Sequence, residues 1–339
     1  MNQKGIGVSN LPNVKYRSVC KSGIDFNIMT VGSHGIGKTS FINGLLGSKV
    51  VTEIEEARKV CKSMTIQVSH FTIKENEFNT RITVTEVDRV GDFTDNNECW
   101  VPIIKIINDN YQDFLYSEHK SVRSLIRDKR IHVCFYCLEP LDNFIRPTDI
   151  ISMEQISKYC NLIPIVCKSD YLNEYQIQKS FDFLRRKLEE HNVVIFEDQN
   201  PTRGNITNFT PPFFVTSPKI TENGISYVRE YPWGQLNLQN MHSNDLFRLR
   251  EMLVNQNILH LIETTEEYYD RFRACVLAYN INKQSNKALT QDILNFEVFD
   301  KLKSEENTIR ELKERIEKKK REYDDQIKSS LSVENVSNK

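Results

Sequence analysis

The chain has 339 residues, 39% hydrophobic and 27% charged, enough for one large globular domain with an extension or for two domains. A formal net charge of −1 excludes the uniform basic footprint of a general nucleic-acid binder. No run of about 18 uncharged apolar residues occurs, so no segment reads as a membrane span. Met1 to Gly5 lack an apolar signal core and Val336 to Lys339 lack a prenylation box, so the expected compartment is the cytoplasm. Of the eight cysteines, Cys134 and Cys137 share one apolar run at an odd spacing that sends them to opposite faces of a strand. Reduced, buried thiols are expected there rather than a zinc site.

Residues 1–24 form an N-terminal segment with a small basic cluster, Lys15, Arg17 and Lys21. An apolar strand, Phe26 to Val31, then runs into Gly32-Ser33-His34-Gly35-Ile36-Gly37-Lys38-Thr39-Ser40 and a helix closed by Gly47. This is a phosphate loop between strand and helix. The glycines let successive N–H groups turn inward on an anion, and the helix adds its positive end. Lys38 is placed to reach the β- and γ-phosphates, and the Thr39 hydroxyl to sit on Mg²⁺.

Strand patterns follow at 65–73 and 81–87, spaced for an antiparallel hairpin. The second ends in Val87-Asp88-Arg89-Val90-Gly91-Asp92, which contains D-x-x-G. In that reading Asp88 reaches Mg²⁺, the Gly91 N–H touches the terminal phosphate, and Arg89 is in reach of phosphate or Asp92. Helix-length segments at 100–120, 149–160 and 172–190 alternate with strands at 131–138, 162–166 and 213–216. The predicted fold class is therefore α/β, a mostly parallel sheet with helices on both faces and its ligand site outside the carboxyl ends of the strands.

The strand at 162–166 ends in Cys167-Lys168-Ser169-Asp170. K-x-D at that place reads guanine: the Asp170 carboxylate accepts both N1–H and N2–H₂, a pair that adenine cannot offer, while the Lys168 stem packs along the base. The competing reading makes Asp170 a helix N-cap. Helices are expected near 244–255 and 258–279, followed by an extension over 281–339. From about 292 to 329 a seven-residue repeat places Leu302, Ile309, Ile316 and Tyr323 in one column, but the second column is polar. A partner-dependent coiled coil and a solvated single helix both fit.

Taken together, these residues resemble the septins, filament-forming GTP-binding proteins. Leu11-Pro12-Asn13, the phosphate loop, Asp95-Asn96-Asn97-Glu98-Cys99-Trp100, Arg146-Pro147-Thr148-Asp149 and, above all, Arg229-Glu230-Tyr231-Pro232-Trp233-Gly234 are similar to family segments. The last is similar to the R-x-Y-P-W-G of the septin-unique element, here 217–280, within a GTP-binding domain of 25–280. The resemblance implies GTP or GDP with Mg²⁺ as cofactors and hetero-oligomeric filaments with other septins. It places them in the cytoskeleton at the cell cortex or division ring, with at most weak contact to anionic lipids and no nucleic acid.

By resemblance Arg229 stacks on the base, Thr216 and Ser217 lie at the loop touching it, Trp233 lies at a septin interface, and Thr65 aligns with a switch threonine. The family's D-T-P-G-[FY]-G-D compares with Asp88–Asp92, which reads as two residues shorter and without T-P. Slow or absent hydrolysis is the expectation. A turning-over switch relying on Thr65 and Asp88, and a nucleotide-free scaffold acting through the C-terminal helix, are the alternatives.

Overall fold

The computed structural model describes residues 23–48, 64–75, 78–118, 127–197, 210–221, 224–239 and 244–284. The basic cluster at Lys15, Arg17 and Lys21 and the repeat at 292–329 lie outside the described residues. The chain divides into two units, 1–272 and 273–339. The first unit holds the fold and the site below.

Six strands form one sheet in the order β2-β3-β1-β4-β5-β6. They are β1 Ile24–Gly32, β2 Thr65–Glu75, β3 Phe78–Asp88, β4 Val133–Leu138, β5 Leu162–Cys167 and β6 Phe213–Val215. Only β2 runs antiparallel, paired to β3 with Thr65 opposite Asp88. The remaining pairs are parallel. The apolar runs of β4 and β5, and β1 from Phe26 onward, are buried, as strands covered on both faces require. On edge strand β2, by contrast, Ile66 and Val68 stay exposed.

Helices α1 (Lys38–Leu46), α2 (Val101–Glu118), α3 (Pro147–Ser157) and α4 (Glu174–Glu190) alternate with the strands. Phe41 and Ile42 of α1 and Ile103, Ile107 and Tyr111 of α2 are fully buried. Each such side chain contributes on the order of 1.5–3 kcal/mol relative to exposure. Both strand cysteines are buried and free. A hydrogen bond from Cys160, together with burial, pushes the Cys134 thiol up, and Cys167 and burial do the same to Cys137. These are inert core residues.

Beyond β6 the chain makes two hairpins, β7 (Lys219–Thr221) with β8 (Gly224–Ser226) and β9 (Val228–Tyr231) with β10 (Gly234–Asn237). Their three- and four-residue strands carry too little alternation to be read in advance. Helix α5 (Leu246–Arg250), a π-helical turn (Glu251–Gln256) and α6 (Ile258–Gln284) follow. Leu246, Leu249, Met252, Leu253 and Leu261 pack into the core beside Phe41 and Ile165.

Candidate guanine-nucleotide site

The phosphate loop follows β1, residues 88–92 follow β3 with Thr65 paired opposite Asp88, and Lys168–Asp170 follow β5, all at the carboxyl ends of the parallel strands, while Leu11–Asn13 lie outside the described residues. At Gly32 the loop leaves β1 so close to β4 that a Cβ would sit 2.7 Å from the Cys137 carbonyl oxygen. Gly37, at φ 103°, sets the start of α1 in a conformation that L side chains rarely adopt. Lys38 is 3% exposed. Its ammonium donates to the carbonyls of Gly32 (3.1 Å) and Ser33 (2.5 Å) and to Asp88 Oδ1 (2.6 Å).

The Thr39 hydroxyl meets Glu86, at 2.8 Å to Oε1 and 3.0 Å to Oε2, and not Asp88. Asp88 instead holds Lys38 and His34, whose Nδ1 is 2.6 Å from Oδ2, with Arg89 Nε 3.8 Å away. Burial alone would raise the Asp88 carboxyl, but Lys38 and His34 outweigh it and hold it below the usual range. The His34 backbone N–H donates to Asp92 Oδ2 at 2.6 Å, and the Val90 N–H to the Gly32 carbonyl at 3.3 Å. Residues 88–92 thus lie folded over the phosphate loop.

This geometry corrects the reading of that segment. With the final Gly-Asp of D-T-P-G-[FY]-G-D laid on Gly91-Asp92, the pattern fits without a gap and its first Asp falls on Glu86. The segment is not two residues shorter. Its glycine falls on Arg89, whose φ of 68° is the left-handed conformation that favours glycine. Sequence reasoning missed Glu86 because Asp88 offered a literal D-x-x-G. Counting back from Gly91-Asp92 was the signal that could have found it.

Arg146 binds this corner to the sheet. Its guanidinium forks onto Asp149 (2.8 and 3.1 Å), donates to the Ser33 hydroxyl and lies 3.6 Å from Asp92. Burial raises the Asp149 carboxyl above its usual range despite Arg146 and the Tyr136 hydroxyl.

At the far end Lys168, at φ 54°, donates to the Gly35 carbonyl at 2.8 Å and so ties the K-x-D turn to the phosphate loop. Asp170 Oδ2 accepts from the Tyr231 hydroxyl at 2.5 Å, with Arg229 Nη1 3.5 Å away. Asp170 Oδ1 is buried with no partner among the described residues. Burial, and next the bond to Asp170, raise the Tyr231 phenol. Ser169 and Thr216 share a hydroxyl–hydroxyl bond of 2.8 Å, and the Asn244 side chain bridges the Thr216 N–H and C=O. Ser217 follows, half-buried. Trp233, 70% exposed, stacks on Tyr231 with centroids 4.6 Å apart.

A backbone loop built for an anion, a buried lysine and a K-x-D turn at the carboxyl ends of a parallel sheet define a phosphate-loop nucleotide-binding fold. The septin family model matches residues 22–286. The chain is 40% identical to Cell division control protein 3 of Encephalitozoon cuniculi, covering 99% of each. It is 31% identical to septin homolog spn4 of Schizosaccharomyces pombe over 79% of this chain and 75% of that one. In fold it is similar to the crystal structure of the septin GTPase domain from Chlamydomonas reinhardtii, with a TM-score of 0.58 and 20% identity over 74% of this chain and 98% of that one. This chain belongs to the septin family.

Proposed function

We propose that this septin binds a guanine nucleotide across the carboxyl ends of its sheet and assembles with other septins into filaments or rings that scaffold cell division at the cortex. The septin family model over most of the chain and the cell-division relative at 40% identity support this role. One observation carries the choice of base. Asp170 Oδ1 is buried and unpartnered beside Arg229 while its sister oxygen is engaged. An orphaned buried carboxylate oxygen is costly unless a ligand supplies donors, and the guanine edge supplies two.

The phosphates lie in the loop from Gly32 to Ser40, with Lys38 as their cation. The hard oxygen donors Thr39 and Glu86, already paired, fit Mg²⁺, which would neutralise phosphate charge there. Arg229 turns from Asp170 onto the base, and exposed Trp233 offers the next septin an aromatic anchor beside the nucleotide. The bound nucleotide then acts chiefly as part of the polymer interface, stabilising the assembled form by mass action. Hydrolysis by Thr65 and Asp88 is slow or absent, since Asp88 is engaged by Lys38 and His34.

The test is the nucleotide released when the purified full chain is denatured. GDP or GTP at near one per chain is expected. An adenine nucleotide, or none after purification in Mg²⁺, overturns the reading.

A further inference from the structure

The donors of the phosphate loop already hold anions belonging to this chain. Lys38 Nζ is 2.6 Å from Asp88 Oδ1, and the His34 N–H is 2.6 Å from Asp92 Oδ2. The His34 ring closes on the other Asp88 oxygen at 2.6 Å, and Val90 hydrogen-bonds back to Gly32 at the loop's start. The mainly buried Asp88 carboxylate thus lies where Lys38 would meet a terminal phosphate, and Asp92 holds a backbone donor beside it. Arg146, 3.6 Å from Asp92 and forked on Asp149, keeps that arm over the loop.

We propose that Asp88, assisted by Asp92, is a tethered anion that makes this site select a nucleoside diphosphate over a triphosphate. The proposal rests on the guanine-nucleotide reading above. Lys38 has three donor hydrogens, two of them on the carbonyls of Gly32 and Ser33, so it can turn one toward a β-phosphate while keeping Asp88. A γ-phosphate needs the ground that Asp88 covers and sets a terminal dianion, with about one further net negative charge, against its carboxylate. Like charges within about 4 Å in a half-buried site repel strongly, and Mg²⁺ offsets only part of that. Selection would make the diphosphate form the resting state of the subunit without any hydrolytic step. GDP recovered from the protein would then not by itself mean that turnover had occurred.

Calorimetric titration of the full chain with GDP and with GTPγS, in Mg²⁺ and in EDTA, tests this. The wild-type ratio Kd(GTPγS)/Kd(GDP) is expected to exceed about ten and to fall about tenfold in Asp88→Asn, with a smaller fall in Asp92→Asn. A ratio that is unchanged or larger in Asp88→Asn overturns the proposal, and a rise only in Mg²⁺ assigns Asp88 to the metal instead. Inorganic pyrophosphate and tripolyphosphate, titrated in parallel, repeat the comparison without a base. If guanine nucleotides fail to bind but tripolyphosphate gains on pyrophosphate in Asp88→Asn, the base assignment is wrong and the tethered anion stands. If neither polyphosphate binds any variant, the tethered anion falls too. Melting curves establish that each variant folds, and Asp92→Asn carries the test should Asp88→Asn not.

Discussion

Two clusters of charge sit at opposite ends of the same parallel strands, and they are built differently. At the amino ends, Asp25 accepts from Arg81 (2.5 and 3.1 Å) and from the Asp128 N–H at 3.2 Å. Asp128 takes a fork from Arg130, whose guanidinium lies 4.0 Å over the Phe114 ring. The Asn27 N–H donates to His132 Nδ1, which leaves the ring proton on Nε2, 3.4 Å from Asp128. Asn27 Nδ2 meets the carbonyls of Asp128 and Arg130.

At the carboxyl ends the carboxylates face phosphate-loop donors, a lysine takes two loop carbonyls, and Asp170 keeps a buried oxygen without a partner among the described residues. Burial pushes Asp88, Asp128 and Asp149 upward, yet the outcomes diverge. Hydrogen bonds and charge from His132 and Arg130 outweigh burial and hold Asp128 well below the usual carboxylate range, whereas burial prevails at Asp149 behind the site. The amino-end carboxylates meet cations and backbone donors of the chain itself and act as scaffold, with His132 Nε2 left beside Asp128 without a hydrogen-bond partner among the described residues. A cluster that gathers phosphate-loop donors and leaves a buried carboxylate oxygen without a partner among the described residues is a candidate binding site.

The comparison breaks most readily at Asp128. Asp128→Ala leaves Arg130 buried and unpaired, and should lower unfolding free energy by about 3–5 kcal/mol in urea titrations. Its GDP affinity per folded molecule should not move. Asp170→Asn should do the reverse, weakening GDP binding by about 2–3 kcal/mol in calorimetry with little change in the urea midpoint. An unchanged GDP affinity there would remove the base-reading site.

Acid sharpens the contrast further. Because the folded Asp128 carboxyl is depressed, its stabilisation is present above the unfolded value of about 3.9 and fades as pH falls below it toward the folded value. The stability gap between wild type and Asp128→Asn should therefore be constant near neutrality and close below about pH 4. The smallest expected effect is at Trp233, 70% exposed. Trp233→Ala should change stability by no more than about 0.5 kcal/mol, yet weaken association with a second septin in sedimentation, since exposed aromatic anchors carry much of an interface.

Much of the site was legible because its chemistry is local in sequence. The spacing from Gly32 to Thr39 demands a phosphate loop whatever surrounds it, and K-x-D after a buried strand announces a base edge. The segment after β3 was not legible in the same way. Asp88 and Glu86 are both acids near a strand end, and only the folded loop shows that Thr39 faces Glu86 while Asp88 turns onto Lys38 and His34. Tyr231 was missed as the partner of Asp170, sixty-one positions away, because nothing in either segment encodes that approach. The amino-end network was invisible for the same reason, with Asp25, Arg81 and Asp128 brought together by the registry of β1, β3 and β4.

For this protein the order of amino acids alone determined the class of fold, the phosphate loop, the place of the K-x-D turn and the resemblance to septins. Each depends on apolar periodicity or on residue types at fixed short spacing, which survive without knowledge of contacts. Tertiary structure decided which carboxylate faces the Thr39 hydroxyl, which one covers Lys38, and which oxygen of Asp170 stays without a partner among the described residues. Those choices hang on ångström-scale approach between segments 47 to 61 residues apart, and no local pattern carries that information.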